Sequence, residues 1–115
     1  MWPRNRLRRR EDFDRLRQHG RLYRHRLLNL SVIENGVAFN RYGFITTKQL
    51  GKAVTRNRVR RLLREAVRKH HPHIQPGFDI VLIARAGAAD REFESLAQAV
   101  AHLLHEAGLM KETTS

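Results

Sequence analysis

Residues 51–69 read GKAVTRNRVRRLLREAVRK, and the reading of this stretch decides how the rest of the chain is arranged. Val59, Leu62, Leu63, Ala66 and Val67 recur at the i, i+3, i+4, i+7 and i+8 spacing of one helical stripe, which can lie on a core. At about 100° per residue, Asn57, Arg61, Arg64 and Arg68 project from the opposite side. Arg58 and Arg60 flank that row, and Arg56 sits nearer the apolar edge. Thr55 is a candidate N-cap and Pro72 disfavours a helical His71, so the spacing predicts a helix over about residues 56–70.

Cations in the first turn of a helix oppose its macrodipole, so Arg56 and Arg58 are poor choices for stability alone. Free backbone N–H groups, two guanidinium forks and the Asn57 amide together suit a phosphate. The competing reading is a solvated charged face. Such faces usually mix signs, whereas Glu65 is the only acid among the eight charged residues of this helix.

The rest of the composition agrees with a polyanionic partner. The formal charge of +12 is unevenly placed. Residues 1–69 carry 20 Lys and Arg against 5 Asp and Glu, whereas residues 70–115 carry 3 against 6. One half faces a polyanion and the other is structural. Arg heavily outnumbers Lys, and its planar fork suits bidentate phosphate contacts. No apolar run approaches membrane length, and no basic helix here carries a lipid-facing aromatic stripe, so nucleic acid is favoured over a membrane. With 115 residues and no cysteine, the expectation is one domain, 1–115, without disulfides or thiolate metal sites, in a reducing cytoplasm. Residues 1–9, rich in Arg, and 111–115 are expected to be flexible.

Outward from the central helix, Glu11–Gln18 reads as a short helix stopped by Gly20, with Phe13 and Leu16 on one face. Phe13 is either core or an aromatic on which an unpaired base could stack. Residues 27–33 and 41–47 read as strands joined through Glu34, Asn35 and Gly36 in an antiparallel hairpin, with 21–24 as a short edge strand. Leu28, Leu30 and Val32 share one face of the first strand, and Asn29 and Ser31 the other. Residues 78–84 are nearly continuously apolar, as in a strand buried on both faces; the exception, Asp79, needs a partner such as an Arg. Asp90 is read as the cap of a last helix over residues 90–107. The His70, His71 and His73 cluster is broken by Pro72 and joined by no carboxylate, so a polar turn is favoured over a metal site. A lone Gly51-Lys52 lacks the earlier glycine of a Walker motif.

This order of elements predicts an α+β domain, with helices packed on a small sheet. An RNA-binding subunit is the first function it supports. A DNA-binding helix-turn-helix would need a short helix before the recognition helix, where strands are expected instead. A self-sufficient nuclease would need an acid cluster, and the few acids are scattered.

The segment comprising Gly51, Ala53, Val54, Arg56, Asn57, Arg58, Arg60, Arg61, Arg64 and Glu65 resembles the RNR signature of the bacterial ribonuclease P protein component. A weaker likeness runs from Arg4 to about Leu109. The resemblance implies a single-domain two-layer sandwich similar to the second domain of ribosomal protein S5. Its sheet would be small and mostly antiparallel, with three helices and a left-handed βαβ crossover. It also implies a subunit of the endonuclease that removes the 5′ leader of precursor tRNA, in which the RNA is catalytic and holds most of the Mg²⁺. No catalytic residue or metal site is then expected in the protein. The RNA-binding set carried over is Lys52, Arg56, Asn57, Arg58, Arg60, Arg61, Arg64 and Arg68. A leader cleft between sheet and first helix would use Phe13, with Arg17 and Ser31 where the family commonly has further aromatics. The partners implied are ribonuclease P RNA, one per protein, and precursor tRNA, with neither DNA nor membrane. The alternative is a general basic RNA-binding or ribosome-associated protein.

Overall fold

The computed structural model describes residues 4–111, so the expected flexibility of residues 1–3 and 112–115 lies outside the described residues. Three helices, α1 (Arg10–His19), α2 (Ala53–His70) and α3 (Phe93–Glu106), accompany four strands, β1 (Arg21–Arg24), β2 (Leu28–Glu34), β3 (Arg41–Ile45) and β4 (Phe78–Ala84). They form one α+β domain with a sheet in the order β1-β2-β4-β3.

The expected hairpin of β2 with β3 does not form. β4 lies between them, antiparallel to β2 and parallel to β3, with Leu30 and Phe44 both opposite Leu82. The reason lies in β4 itself, whose apolar side chains on both faces require the central position. The segment after β2 is a loop wrapped around the start of β4. Asn35 N–H donates to Gly77 O at 2.9 Å, and Phe78 N–H donates to Asn40 Oδ1 at 2.8 Å. α2 is therefore the crossover of a parallel β3-α2-β4 unit.

Two helix starts also differ from expectation. α2 begins at Ala53 with Lys52 in the N-cap position, because Gly51, at φ 119°, turns the chain early and leaves Thr55 inside the first turn. α3 begins at Phe93 after Glu92, and Asp90 stays in the preceding turn.

The sheet buries both faces unequally. Leu28, Leu30, Val32, Ile80 and Leu82 meet Val59, Leu63 and Val67 of α2 and Leu96, Val100 and Leu103 of α3 in the main core. Full burial of such a side chain stabilises by about 1.5–3 kcal/mol. Leu62 is only half-buried. On the opposite face α1 covers part of the sheet, where Leu16 packs with Leu7 and Val81. Asp79, fully buried, joins the two sides: Arg41 donates to both its oxygens at 2.7 and 2.9 Å, and Arg15 reaches it from α1 at 3.2 Å. This is the Arg partner its position demanded.

Residues 4–9, expected from composition to be flexible, lie along the outer edge of β3. Tyr42 N–H donates to Asn5 O and Leu7 N–H donates to Tyr42 O at 2.8 Å. Burial alternates along this segment: Asn5 and Leu7 are inside, and Arg4, Arg6 and Arg8 outside. That period of two places the buried pair against the sheet and was present in the sequence, hidden by its charge.

Candidate nucleic-acid interface

α1 leaves part of its sheet face open, and the gap is a cleft of about 360 Å³ that brings together Phe13, Arg17 and Ser31. Leu22, Ile45, Val81 and Ile83 give it an apolar lining. Alternation puts these side chains on one face, since Leu22 pairs with Ser31 and Ser31 with Val81. Ser31 is only 8 % exposed and forms floor, not a reaching donor. Arg17 is exposed and held by Asp14 at the rim. Gly20 closes the end of α1. A Cβ there would meet Leu16 O at 2.4 Å and Ser31 Oγ at 2.9 Å, so glycine lets helix and strand approach.

Phe13 stands at the inner end of the cleft. Its ring lies on Gly43 of β3, where a Cβ would come within 2.9 Å of Cε1. It is half-buried, so one ring surface packs while the rest remains accessible. On its other side a second cavity of about 490 Å³ is lined by Tyr42, Gly43, Phe44, Arg6, Arg60 and Arg64. Phe13 thus lines both an apolar compartment and one walled by the guanidiniums of α2, and stands where the two meet.

On α2, Lys52, Asn57, Arg61, Arg64 and Arg68 are exposed, and Arg56, Arg58 and Arg60 are half-buried. Arg60 donates to Thr46 Oγ1 at 2.6 Å and Asn57 Oδ1 at 3.1 Å, bonds that tie it to the end of β3 beside the second cavity. Arg58 has a different task. It donates to Ala89 O at 3.2 Å and Arg91 O at 2.6 Å, binding the start of α2 to the turn before α3. Arg56 Nε is buried without a partner. Val54, part of the segment that carries the resemblance, is 80 % exposed in the first turn, an apolar residue outside the α2 stripe. Gly43, Leu22 and Ile45 in the clefts are not among the residues the sequence reading names, and the signal for them is the strand alternation.

At the far end of α2, Asn40 Nδ2 donates to the Tyr42 hydroxyl, which shares a further hydrogen bond with His71 Nδ1 at 2.7 Å. Burial pushes the Tyr42 phenol up to about 12 and lowers His71, with Lys111 and Arg4 adding to the lowering. Among the described residues no three His, Asp or Glu side chains converge as a metal site.

A family model described as Ribonuclease P matches residues 1–108. The chain is 45 % identical over 111 residues to the ribonuclease P protein component of Roseiflexus sp. strain RS-1, covering 96 % of this chain and 91 % of that protein. It is 38 % identical over 106 residues to that of Alkaliphilus oremlandii, covering 92 % and 93 %. Its fold is similar to the RNase P protein of Staphylococcus aureus (TM-score 0.86, 30 % identity, 93 % and 98 % coverage). The Thermotoga maritima RNase P protein superposes with a TM-score of 0.81 at 30 % identity, covering 88 % and 96 %.

Proposed function

The chain belongs to the ribonuclease P protein family, and from that premise we propose how it serves as the protein subunit of ribonuclease P. The exposed face of α2, with Lys52, Asn57, Arg61, Arg64 and Arg68, grips phosphates of the catalytic RNA. The cleft beside α1 takes the unpaired 5′ leader of precursor tRNA, with a base against Phe13 and Arg17 at the rim. Holding the leader and the RNA in one frame orients the scissile phosphate, which is catalysis by positioning. The observation that carries this reading is the continuity of the apolar cleft, through Phe13, with the Arg60 and Arg64 wall.

Among the described residues the acids do not fit a Mg²⁺ site, because no three His, Asp or Glu side chains converge. Asp12, Asp14 and Asp79 each face a guanidinium instead. The chemistry that Mg²⁺ supplies, activation of water and stabilisation of the leaving oxygen, is assigned to the RNA. One protein per RNA, acting in the cytoplasm, completes the proposal. Family membership disfavours a general ribosome-associated role.

Cleavage of precursor tRNA at low Mg²⁺ by the cognate RNA, with and without this chain, tests it. The protein should restore cleavage that the RNA alone has lost, and the RNA-free protein should not cut. Metal-dependent cleavage by the protein alone, surviving nuclease treatment, would overturn the assignment of chemistry to RNA.

A further inference from the structure

We propose that residues 4–9 form an additional RNA-binding element: an arginine track on the outer edge of β3 that holds the backbone phosphates of the leader beyond Phe13. The proposal rests on the leader-cleft reading above and extends it to a surface outside the cleft and the α2 face.

Arg4, Arg6, Arg8, Arg9 and Arg41 surround a cavity of about 500 Å³ whose other walls are Asp12 and Phe39. Asp12 is the single acid there, and it already faces Arg41 at 3.7 Å. Among the described residues no carboxylate lies within ion-pair distance of Arg6, Arg8 or Arg9, so their charges are uncompensated. Crowding guanidiniums in this way costs folding free energy unless an anion enters. Arg8 and Arg9 also precede the N-terminus of α1, where a helix favours negative charge.

The track is held in place from behind. The buried Asn5 and Leu7 and their hydrogen bonds to β3 fix the backbone, so the outward Arg side chains are presented from a supported edge. Arg4 lies 4.9 Å over the Phe39 ring, which restrains its guanidinium. Arg6 lines both this cavity and the one containing Phe13, Arg60 and Arg64, and so makes the two continuous. A strand leaving the cleft past Phe13 meets Arg6 next. The ligand class that fits is a flexible chain of phosphates, because five guanidinium forks line the cavity and the one aromatic ring in its wall, Phe39, already lies under Arg4.

The test uses holoenzyme reconstituted from the cognate RNA and the full chain. Binding is measured for mature tRNA, for precursor with a short leader ending within the cleft, and for precursor with a long leader extending past it. Replacing Arg4→Gln, Arg6→Gln and Arg8→Gln together should weaken the long-leader substrate by about tenfold or more and make its log–log salt slope shallower by about 2. Short-leader and mature tRNA should bind as before. The pair Arg8→Gln and Arg9→Gln, which leaves the Arg4–Phe39 contact and the edge of β3 intact, should show a smaller loss in the same order. Unchanged long-leader binding by both variants would overturn the track while leaving the cleft reading in place. Equal losses for all three substrates with weaker RNA assembly would give these arginines to the catalytic RNA instead. Wild-type holoenzyme that does not distinguish precursor from mature tRNA would overturn the cleft reading and the track with it.

Discussion

Phe13 and Gly43 act as a pair, because the ring position is set by the absence of a side chain beneath it. Phe13→Ala should weaken precursor tRNA binding by about 1–3 kcal/mol and affect mature tRNA much less, as measured by parallel titrations well below the melting midpoint. Gly43→Ala approaches the same defect from below. Its methyl would also lie 3.3 Å from Val81 Cγ2, so the ring must tilt away, at a cost of about 1–3 kcal/mol of stability by denaturant melting and with loss of leader discrimination. Equal losses for precursor and mature tRNA in Phe13→Ala would make the ring plain core. The two residues were not equally legible. An aromatic on the apolar face of a short helix reads as core or as a stacking surface, whereas a glycine inside a strand signals close approach without naming what approaches. Asp79 was readable to its partner type, since a carboxylate in a buried strand demands a cation.

At the level of elements, α2 presents three kinds of arginine that one helical wheel does not separate. Arg61→Ala with Arg64→Ala should keep the melting temperature and weaken assembly with the catalytic RNA, because both side chains are exposed. Leu63→Ala, at a fully buried position, should cost about 2–5 kcal/mol and spare binding while folded. The half-buried Leu62 should lose less. Arg58→Ala belongs with the leucine: removing two hydrogen bonds to carbonyls should lower stability by about 1–3 kcal/mol, visible in melting before any RNA is added. If Arg58→Ala melts normally and only binding falls, its tie to the turn before α3 is unimportant. The periodicity disclosed which side of α2 is buried. It could not disclose Arg58's partners, which are backbone carbonyls some thirty residues later in a turn without a recognisable signature. Strand alternation is similarly informative about faces and silent about neighbours, so proximity in sequence points to a β2–β3 hairpin where the sheet sets β4 between the two.

For the whole molecule, histidine burial sets a pH dependence. His25, His70 and His71 are all lowered from 6.5, with burial the largest cause in each. The unfolded chain therefore takes up protons first as pH falls, so stability is greatest above about 6.5 and declines below it toward the lowered folded values. The melting temperature should drop between about pH 7 and pH 5, and His71→Gln should make that drop shallower. An unchanged slope would remove His71 from the account. The sheet order has a further consequence, for the chain as it is made. β1 and β2 can pair as soon as they emerge, but such a two-stranded unit is marginal alone. β3 must wait, with α2 already synthesised, for a partner that arrives last among the strands. Until β4 slides between them, the basic helix has no apolar sheet face complete enough to hold it. The nascent protein thus exposes its arginines on an unfinished scaffold, and RNA present at that moment could meet a chain whose fold is still to be closed.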